Sequence, residues 1–321
     1  MTVRLAMLGM VEGNGHPYSW SAIINGRYDR ALMEECGYPV IPKYLAAQPP
    51  EALGIDQARV THVWCEDAER ARHVAKACYI ENVATRPADV IGQVDAVVIP
   101  TDIGEEHLER ARPFVEAGLP VFIDKPLTTD AGHLRQFVNW RREGKKILST
   151  SAMRYAREFA ELRARLAQIA PVRLITVTTP KSWTRYGIHA LEAVYGLLEP
   201  GGWISAANTG AEGANVVHLR HGGGGGGGGG GGVEIVIAAI ADLHGCFACV
   251  SVYGGGGMLS ARFGDTFTAF RSQLIAFVDF VRSGREPFDF AQTLEQMKII
   301  IAGERSRRYN GRTVLLSEIE A

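Results

Sequence analysis

VFIDKPL, residues 121–127, joins three apolar residues to an aspartate, a lysine and a proline. The apolar run is typical of a buried strand in a parallel sheet. Pro126 fixes its own φ and favours an extended conformation at Lys125. The lysine would therefore stand at the carboxyl end of a strand, where open α/β sheets bind their ligands. The alternative interpretation is a surface Asp-Lys turn that closes a strand–helix loop.

Strands and helices alternate on both sides of this stretch. Apolar runs predict strands, and segments of 3.6-residue periodicity predict helices. The predicted strands before residue 152 are 3–10, 60–65, 95–100, 121–123 and 147–151, and the predicted helices are 19–33, 66–77, 103–118 and 130–144. This alternation predicts a parallel sheet with right-handed crossovers, a Rossmann-type α/β domain over residues 1–151.

The alternation stops beyond residue 151. A second, α+β domain is predicted for residues 152–321, because β-rich segments there follow one another with few helices between them. The predicted strands are 172–179, 204–208, 215–220, 233–241 and 246–253, and the predicted helices are 187–198, 267–282 and 291–308.

The loop after the first strand, GMVEGNGHPYSW, is rich in glycine but irregular. A dinucleotide fold places G-x-G-x-x-G there; Gly9 fits the first glycine, while the others appear late, as Gly13 and Gly15. Small residues let backbone N–H groups approach a pyrophosphate, and the polar residues His16, Tyr18 and Ser19 follow. The alternative is a turn that needs glycine only for positive φ. Residues 36–54, with four prolines, are predicted to be irregular.

HLERARPFVEAGLPVFIDKPL resembles the helix, turn and strand that lead into the Glu-Lys-Pro motif of the glucose–fructose oxidoreductase, inositol dehydrogenase and MocA-like (Gfo/Idh/MocA) family. Asp124 stands where that family usually has glutamate, and Arg154 and Tyr155 match its Arg-aromatic pair. The resemblance implies a second domain built on an open, mostly antiparallel sheet, through which the chain would form a homodimer or homotetramer. It also allows the last helix to pack back on the first domain.

The resemblance implies a bound NAD or NADP. The residues expected to bind it are Gly9, Met10, Gly13, Gly15, His16, Glu66, Pro100, Thr101, Asp124 and Arg154. An acidic residue at the end of the second strand normally accepts the ribose hydroxyls, so Glu66 favours NAD over NADP. The alternative is that Glu66 and Asp67 only complement a helix dipole. His107 is a minor candidate, since a lone helix histidine is more often structural.

The catalytic candidates implied by the resemblance are Lys125 and His189. Oxidising a secondary alcohol requires a base and a cationic donor at the hydroxyl oxygen. In KSWTRYGIHALEAVYGLLEPG, a polar stripe of His189, Glu192, Gly196 and Glu199 resembles the helix that carries the family's catalytic histidine. Simple solvent exposure of that stripe is the alternative interpretation.

Arg185 is a departure from the family, whose cyclitol dehydrogenases usually have an aspartate four residues before the histidine. A guanidinium can bind a carboxylate bidentately. We therefore expect a sugar acid or another anionic polyol, with Lys125, Lys181, Arg185, Tyr186, Arg154 and His189 around the substrate.

Composition adds several expectations. The net charge of −1 gives no reason to expect a nucleic acid partner, and no apolar run is long enough to span a membrane. Five scattered cysteines favour reduced thiols and a cytoplasmic protein without a metal; Cys246 and Cys249 form a CxxC without a second pair. Eleven consecutive glycines, residues 222–232, fit no natural strand pattern, and neither they nor Gly254–Gly257 indicate a function.

Two functions follow from these features. The first is an NAD(P)-dependent oxidoreductase that transfers a hydride between nicotinamide and a secondary hydroxyl or keto group of a sugar, sugar acid or cyclitol, in a cleft beneath the second domain. The second is a catalytically silent ligand sensor or regulator with the same fold. The irregular glycine loop and Arg185 favour the sensor, whereas the presence of both Lys125 and His189 favours the enzyme.

Overall fold

The computed structural model describes residues 2–223 and 232–321. The chain divides into two compact units. Unit 1 comprises Met1–Lys125, Asn139–Ser149 and Phe270–Phe288, and unit 2 comprises Pro126–Val138, Thr150–Ala269 and Asp289–Ala321. A helix from the C-terminal part of the chain thus contributes to unit 1, but it is the penultimate helix; the last helix lies in unit 2.

Unit 1 is built on a six-stranded parallel sheet. The strands are β1 (Val3–Leu8), β2 (Ala58–Trp64), β3 (Asn82–Val83), β4 (Ala96–Ile99), β5 (Val121–Ile123) and β6 (Ile147–Leu148). Their spatial order is β3-β2-β1-β4-β5-β6, and every neighbouring pair is parallel. Strands β4 and β5 are buried along their whole length, which explains their unbroken apolar sequences. The predicted Rossmann-type sheet is confirmed.

The helices of this half of the chain follow the strands. They are α1 (His16–Asn25), α2 (Arg30–Glu34), α3 (Val40–Ala46), α4 (Ala68–Ala77), α5 (His107–Glu116) and α6 (Ala131–Arg142). The prediction of one helix over residues 19–33 is wrong, because Gly26 ends α1 at φ 73° and Asp29 caps the separate α2. The prediction that residues 36–54 are irregular is also wrong, because they contain α3.

Unit 2 is built on a seven-stranded mixed sheet. The strands are β7 (Val172–Pro180), β8 (Trp203–Asn208), β9 (Ala214–His221), β10 (Val233–Ile240), β11 (Cys249–Gly254), β12 (Gly257–Arg262) and β13 (Val314–Leu315), in the order β12-β11-β7-β10-β9-β8-β13. Only the pairing of β7 with β10 is parallel among these described strands. The predicted open, mostly antiparallel sheet is confirmed.

The helices of the C-terminal half are α7 (Arg157–Ala164), α8 (Trp183–Tyr195), α9 (Thr266–Ser283) and α10 (Phe290–Arg308). Strand β9 alternates exposed and buried residues without a break, as expected for a sheet with one covered and one open face. Helix α8 packs on α10, where the indole Nε1 of Trp183 donates to the carbonyl oxygen of Ile300 at 2.9 Å. This contact fixes the helix that carries His189.

The structure describes one of the two glycine runs completely and the other only at its ends. Gly254–Gly257 forms the tight hairpin turn between β11 and β12, and the sequence did not predict β12. Strand β9 pairs antiparallel with β10 on either side of the longer run, most of which (224–231) lies outside the described residues.

Cys246 precedes β11 and is half-buried like Cys249, and all five cysteines carry free thiols. In the described parts of the chain, no helix has the length and apolar character to cross a membrane.

Candidate active site

Lys125 lies directly after β5, at the carboxyl edge of the parallel sheet in unit 1. The backbone N–H of Asp124 donates to the carbonyl oxygen of Ile99, which continues the pairing of β5 with β4 up to the lysine. The Lys125 side chain is 4% exposed, and its Nζ lies 3.6 Å from Asp102 Oδ2 and 3.7 Å from Asp124 Oδ2. Two carboxylates therefore hold a buried ammonium in place, which overturns the interpretation of a surface Asp-Lys turn.

Asp102 is a site residue that the sequence analysis missed. It follows β4, the strand next to β5, and its side chain is 2% exposed. A signal was present, because the carboxyl ends of neighbouring parallel strands meet at one edge of a sheet. A carboxylate after one strand and a lysine after the next could therefore have been paired.

His16 is the first residue of α1 and borders the same cluster. Its ring stacks on Trp20 with a centroid distance of 4.2 Å, and its Nε2 lies 3.5 Å from Asp124 Oδ2. Burial, together with the positive charge of Lys125, lowers the pKa of His16 to about 3. Because the imidazole is neutral at pH 7, its contact with Asp124 is not an ion pair.

The carboxyl group of Asp124 is close to its titration point at neutral pH. Burial raises its pKa from 3.8 to about 7, with a smaller contribution from the charge of Asp102, while Lys125 acts in the opposite direction. An acid whose pKa is raised by folding stabilises the folded state below its unfolded pKa, and this stabilisation is lost as the pH rises through the folded pKa.

The substitution Asp124→Asn is expected to remove this pH dependence. We expect the difference in free energy of unfolding, Asp124→Asn minus wild type, to rise steadily between about pH 4 and pH 7. Urea unfolding at a series of pH values measures it.

The substitution Asp95→Asn is the matched control for this experiment. The guanidinium of Arg4 lowers the pKa of Asp95, so this carboxyl titrates below the window of interest. The difference in free energy of unfolding, Asp95→Asn minus wild type, should stay constant between about pH 5 and pH 8. If the difference in free energy of unfolding between Asp124→Asn and wild type also stayed constant with pH, the pKa assigned to Asp124 would be contradicted.

The glycine loop places backbone groups at the start of α1. Gly9 has φ 105°, and a Cβ on it would lie 3.0 Å from Thr101 Cγ2 and 3.2 Å from Arg110 Nη1. Gly13 has φ 78° and no atom within 4 Å of such a Cβ, and Gly15 precedes the first residue of the helix. The loop thus combines left-handed glycines, open space and a helix N-terminus, which fits the pyrophosphate of a dinucleotide.

Two of the polar residues after this loop do not face a ligand. Tyr18 and Ser19 are buried: the Tyr18 hydroxyl bonds to His73 Nδ1 at 2.7 Å, and Ser19 accepts from the Tyr44 hydroxyl. The residue that shapes the loop instead is Asn14, which the sequence analysis missed. Its amide donates to the carbonyl oxygen of Pro100 at 2.9 Å, and its side-chain oxygen accepts from the His16 N–H at 3.0 Å.

Glu66 reaches the glycine loop from the end of β2. Its Oε2 accepts from the Met10 N–H at 2.8 Å, and its Oε1 lies 2.5 Å from Arg110 Nη1. The preceding residue, Cys65, is buried. Asp67 is the N-cap of α4 and accepts from the Glu69 N–H, so the helix-dipole interpretation applies to Asp67 and not to Glu66.

Pro100 and Thr101 lie after β4 beside this loop, and Thr101 is fully buried. His107, at the start of α5, is also fully buried, and its Nε2 is 2.9 Å from the Thr101 carbonyl oxygen and 3.2 Å from its Oγ1. These bonds indicate that His107 supports the backbone after β4.

Unit 2 holds His189 on α8. Its Nδ1 lies 2.7 Å from Ser151 Oγ, which also accepts from the Met153 N–H. The rings of Tyr186 and Phe247 contact the imidazole with their centroids 4.9 and 5.0 Å away. The histidine is 8% exposed and is held on several sides, so its orientation is fixed before any ligand binds.

Glu192, one turn after His189, is buried as well. Its Oε1 accepts from Thr150 Oγ1 at 2.8 Å, and its Oε2 lies 2.7 Å from Arg154 Nε. The alternative that the polar stripe of α8 is a solvent-exposed face is therefore wrong for His189 and Glu192. Gly196 and Glu199, the other two members of the stripe, lie beyond the helix end at Tyr195.

The remaining substrate candidates have different surroundings. Arg154 donates to Gln292 Oε1 at 2.7 Å in addition to its pair with Glu192, so its charge is matched within unit 2. Lys181, at φ 64°, donates to the Tyr186 hydroxyl at 2.7 Å. Arg185 lies in the first turn of α8, four residues before His189. In residues 2–223 and 232–321, no three His, Cys, Asp or Glu side chains are grouped to hold a metal ion.

Part of this chain is similar to known oxidoreductases. Residues 36–152 match the model of an oxidoreductase family with an NAD-binding Rossmann fold, Gfo/Idh/MocA. An inositol 2-dehydrogenase from Rhodococcus erythropolis is 36% identical over 113 residues, which span 34% of this chain and 32% of the relative. The aligned part is thus about a third of that curated protein.

Solved structures share the fold over nearly the whole chain. A probable dehydrogenase from Thermotoga maritima has a TM-score of 0.73 and 17% identity, covering 99% of this chain and 100% of its own. A myo-inositol dehydrogenase from Lactobacillus casei, in complex with NAD(H) and myo-inositol, has a TM-score of 0.69 and 16% identity, covering 98% and 97%. The stretch that carries Lys125 is thus similar to the Gfo/Idh/MocA oxidoreductase family, and the chain shares its fold with these solved structures.

Proposed function

We propose that this protein is an NAD-dependent dehydrogenase acting on a secondary hydroxyl group of a polyol, sugar or sugar acid. The observation that carries the proposal is the buried ammonium of Lys125, held by Asp102 and Asp124 at the carboxyl edge of a Rossmann sheet. Removing an ammonium from water is unfavourable, so a buried lysine that is kept at a ligand-binding edge supports a functional role.

The roles of the chain's residues follow from the chemistry of alcohol oxidation. A bound nicotinamide would supply the acceptor for the hydride of the carbinol carbon. Lys125 donates a hydrogen bond to the hydroxyl oxygen and stabilises the negative charge that develops on it. His189 would accept the hydroxyl proton at Nε2, while its Nδ1 is hydrogen-bonded to Ser151 Oγ. The product would be a carbonyl compound, with the hydroxyl proton left on His189.

The loop residues would hold the dinucleotide. Gly9, Gly13 and Gly15 let the backbone and the α1 N-terminus approach the pyrophosphate. Glu66 would accept ribose hydroxyls, which supports NAD. Pro100 and Thr101 would border the nicotinamide ribose, together with Asp124.

For the substrate, we propose an anionic polyol. Arg185 stands where cyclitol dehydrogenases have an aspartate, and a guanidinium suits a carboxylate. Lys181 lies just before the N-cap of the same helix, and its Nζ donates to the Tyr186 hydroxyl. Arg154 supports this class of substrate least, because Glu192 already matches its charge.

The test is binding followed by turnover. Thermal denaturation with and without NAD or NADP measures coenzyme binding, and absorbance of reduced nicotinamide measures oxidation of a panel of inositols, neutral sugars, uronates and aldonates. We expect a stabilising shift with NAD and turnover of acidic polyols. Turnover of neutral polyols alone would remove the anionic substrate but keep the dehydrogenase. Coenzyme binding without turnover across the panel would favour the silent sensor.

We also propose that the protein is a homo-oligomer formed through the open face of the unit 2 sheet. The apolar side chains of Ile204 and Val216 are 43% and 40% exposed on neighbouring strands of that sheet. Light scattering after size-exclusion chromatography measures the mass, and a monomer at micromolar concentration would contradict the proposal.

A further inference from the structure

A cavity of about 470 Å³ lies at the amino edge of the unit 1 sheet. Its lining includes the residues that directly precede five of the six strands, namely Thr2, Gln57, Asp95, Pro120 and Lys146. The last turn of α9 adds Val281 and Arg282. Because Lys125 lies at the opposite, carboxyl edge of this sheet, the cavity is separate from the candidate active site. Its volume is typical of pockets that bind small molecules, about 300–1,000 Å³.

Two chain segments bring positive charge to this cavity. Residues 141–146, RREGKK, and 282–286, RSGRE, contain six arginines and lysines but only two glutamates, in a chain whose net charge is −1. The segments lie together, since a Cβ on Gly284 would be 3.7 Å from Lys146 Nζ. Lys146 and Arg282, the two cations in the lining, are both exposed. This part of the surface is therefore positively charged, although the chain as a whole is not.

Basic residues near helix C-termini can serve only to complement the helix dipole. Arg141 has such a role, because it donates to the carbonyl oxygen of Lys145 just beyond the end of α6 and pairs with Glu286. This explanation does not cover Lys146, which directly precedes β6. Within residues 2–223 and 232–321, neither Lys146 nor Arg282 forms an ion pair. Both cations are thus available to a ligand in the cavity.

The described lining contains one carboxylate, Asp95, whose charge is already matched by Arg4. Arg4 Nη2 donates to Asp95 Oδ1 at 2.9 Å, and its Nε donates to Asp95 Oδ2 at 3.2 Å. Asp95 therefore does not neutralise Lys146 or Arg282, and the cavity has an excess of two positive charges.

We propose that this cavity binds a phosphate monoester of a small hydroxylated molecule. Such a phosphate has a charge of about −1.5 to −2 at pH 7, which matches the two cations. The guanidinium of Arg282 can donate to two phosphate oxygens, and the ammonium of Lys146 can donate to the third. The Gln57 amide can donate to and accept from the hydroxyl groups of the ligand.

The conformation of Gln57 supports a role in the cavity wall. Its φ of 58° is one that residues other than glycine seldom adopt. Its carbonyl oxygen accepts from the Val3 N–H at 2.7 Å, which joins the starts of β1 and β2. The residue is thus held at the cavity in a conformation that glycine would adopt more easily, although glycine has no side chain to offer a ligand.

The first test is isothermal titration calorimetry of the full-length protein with glycerol 3-phosphate at constant ionic strength. We expect Lys146→Gln/Arg282→Gln to weaken binding at least about tenfold, because the charge-assisted hydrogen bonds are lost. The matched control Lys76→Gln/Arg163→Gln removes one exposed lysine and one exposed arginine from α4 and α7, and should bind like wild type. Equal affinities in wild type and the cavity variant, equal weakening in both variants, or no binding by the wild type would overturn the inference.

The second test locates the bound phosphate by acetylation of lysines followed by mass spectrometry. Glycerol 3-phosphate at ten times its Kd should slow acetylation of Lys146 about tenfold, because only the free protein reacts there. Acetylation of Lys76 should be unchanged. Binding without protection of Lys146 would place the phosphate elsewhere, for example at the glycine loop, and would overturn the inference.

The third test separates the classes of ligand. Inorganic phosphate should bind about three- to tenfold more weakly than glycerol 3-phosphate, because it lacks the hydroxyl groups that Gln57 would bind. Gln57→Gly should remove this difference without straining the backbone. Equal affinity of the wild type for both probes would assign the cavity to the free ion. Tighter binding of a short single-stranded RNA, lost in Lys146→Gln/Arg282→Gln, would assign the surface to nucleic acid. Either result would overturn the inference.

Discussion

Replacing Lys125 with methionine is expected to lower kcat by about 10²- to 10³-fold, with NAD affinity changed much less. Methionine keeps most of the length of the side chain but has no ammonium group, so it cannot stabilise negative charge on the substrate oxygen. A single preorganised donor in a site that excludes water typically contributes this much. Steady-state kinetics with the best substrate of the panel, together with calorimetry for NAD, measures both quantities.

The controls for this substitution address folding. Removing one partner of a buried ion pair can cost about 3–5 kcal/mol of stability, because the remaining charges lose their partner. The variant Lys125→Met/Asp102→Asn removes one carboxylate along with the ammonium, so it should recover stability without recovering kcat. Lys76→Met on α4 is a matched control outside the cluster and should behave like wild type. A folded Lys125→Met protein with unchanged kcat would falsify the assigned role.

The sheet of unit 1 could be predicted because its strands have a distinctive sequence. Strands buried on both faces require unbroken apolar runs, as in β4 and β5, and the position of Lys125 follows from where β5 ends. Helix α3 was missed because its segment contains prolines. Pro39 is the N-cap of α3, and Pro42 lies in its first turn. The N–H groups at these positions make no hydrogen bond within a helix, so prolines there do not interrupt it.

The partners of the site residues could not be predicted in the same way. Periodicity places His189 and Glu192 on one face of α8, but it does not say whether that face meets solvent or protein. Their partners, Thr150 and Ser151, lie about 40 residues earlier in the chain. The pair of Glu66 and Arg110 likewise joins two elements that share no sequence pattern. Such contacts depend on side-chain packing, which a pattern does not encode.

The buried polar groups of α8 have a physical consequence for catalysis. A buried polar side chain costs free energy unless it has a partner, so the bonds of Ser151 to His189 and of Thr150 to Glu192 are needed to fold the helix this way. The same bonds hold the imidazole in one orientation. The positioning of His189 is therefore achieved by folding and does not have to be supplied by the substrate.

Replacing His189 with asparagine is accordingly expected to lower kcat by about 10²- to 10⁴-fold, the usual contribution of a general base. Asparagine retains a polar group near Ser151 but cannot accept a proton. The rise of kcat with pH that is expected of a wild type with a histidine base should therefore disappear. NAD affinity should be unchanged, because we assign no coenzyme contact to this residue. Rates measured across a range of pH, with NAD titrations at each end, test these expectations.

A matched control is His218→Asn, an exposed histidine on β9 that pairs with Glu234. It should keep both kcat and the pH profile of the wild type. If His189→Asn lost activity but kept the wild-type pH profile, the imidazole would be a structural group, and another residue would have to accept the proton. If Lys125→Met lost the pH dependence instead, the ammonium itself would exchange the proton. The two substitutions, compared across pH, therefore distinguish which nitrogen carries the proton and which one only stabilises the charge.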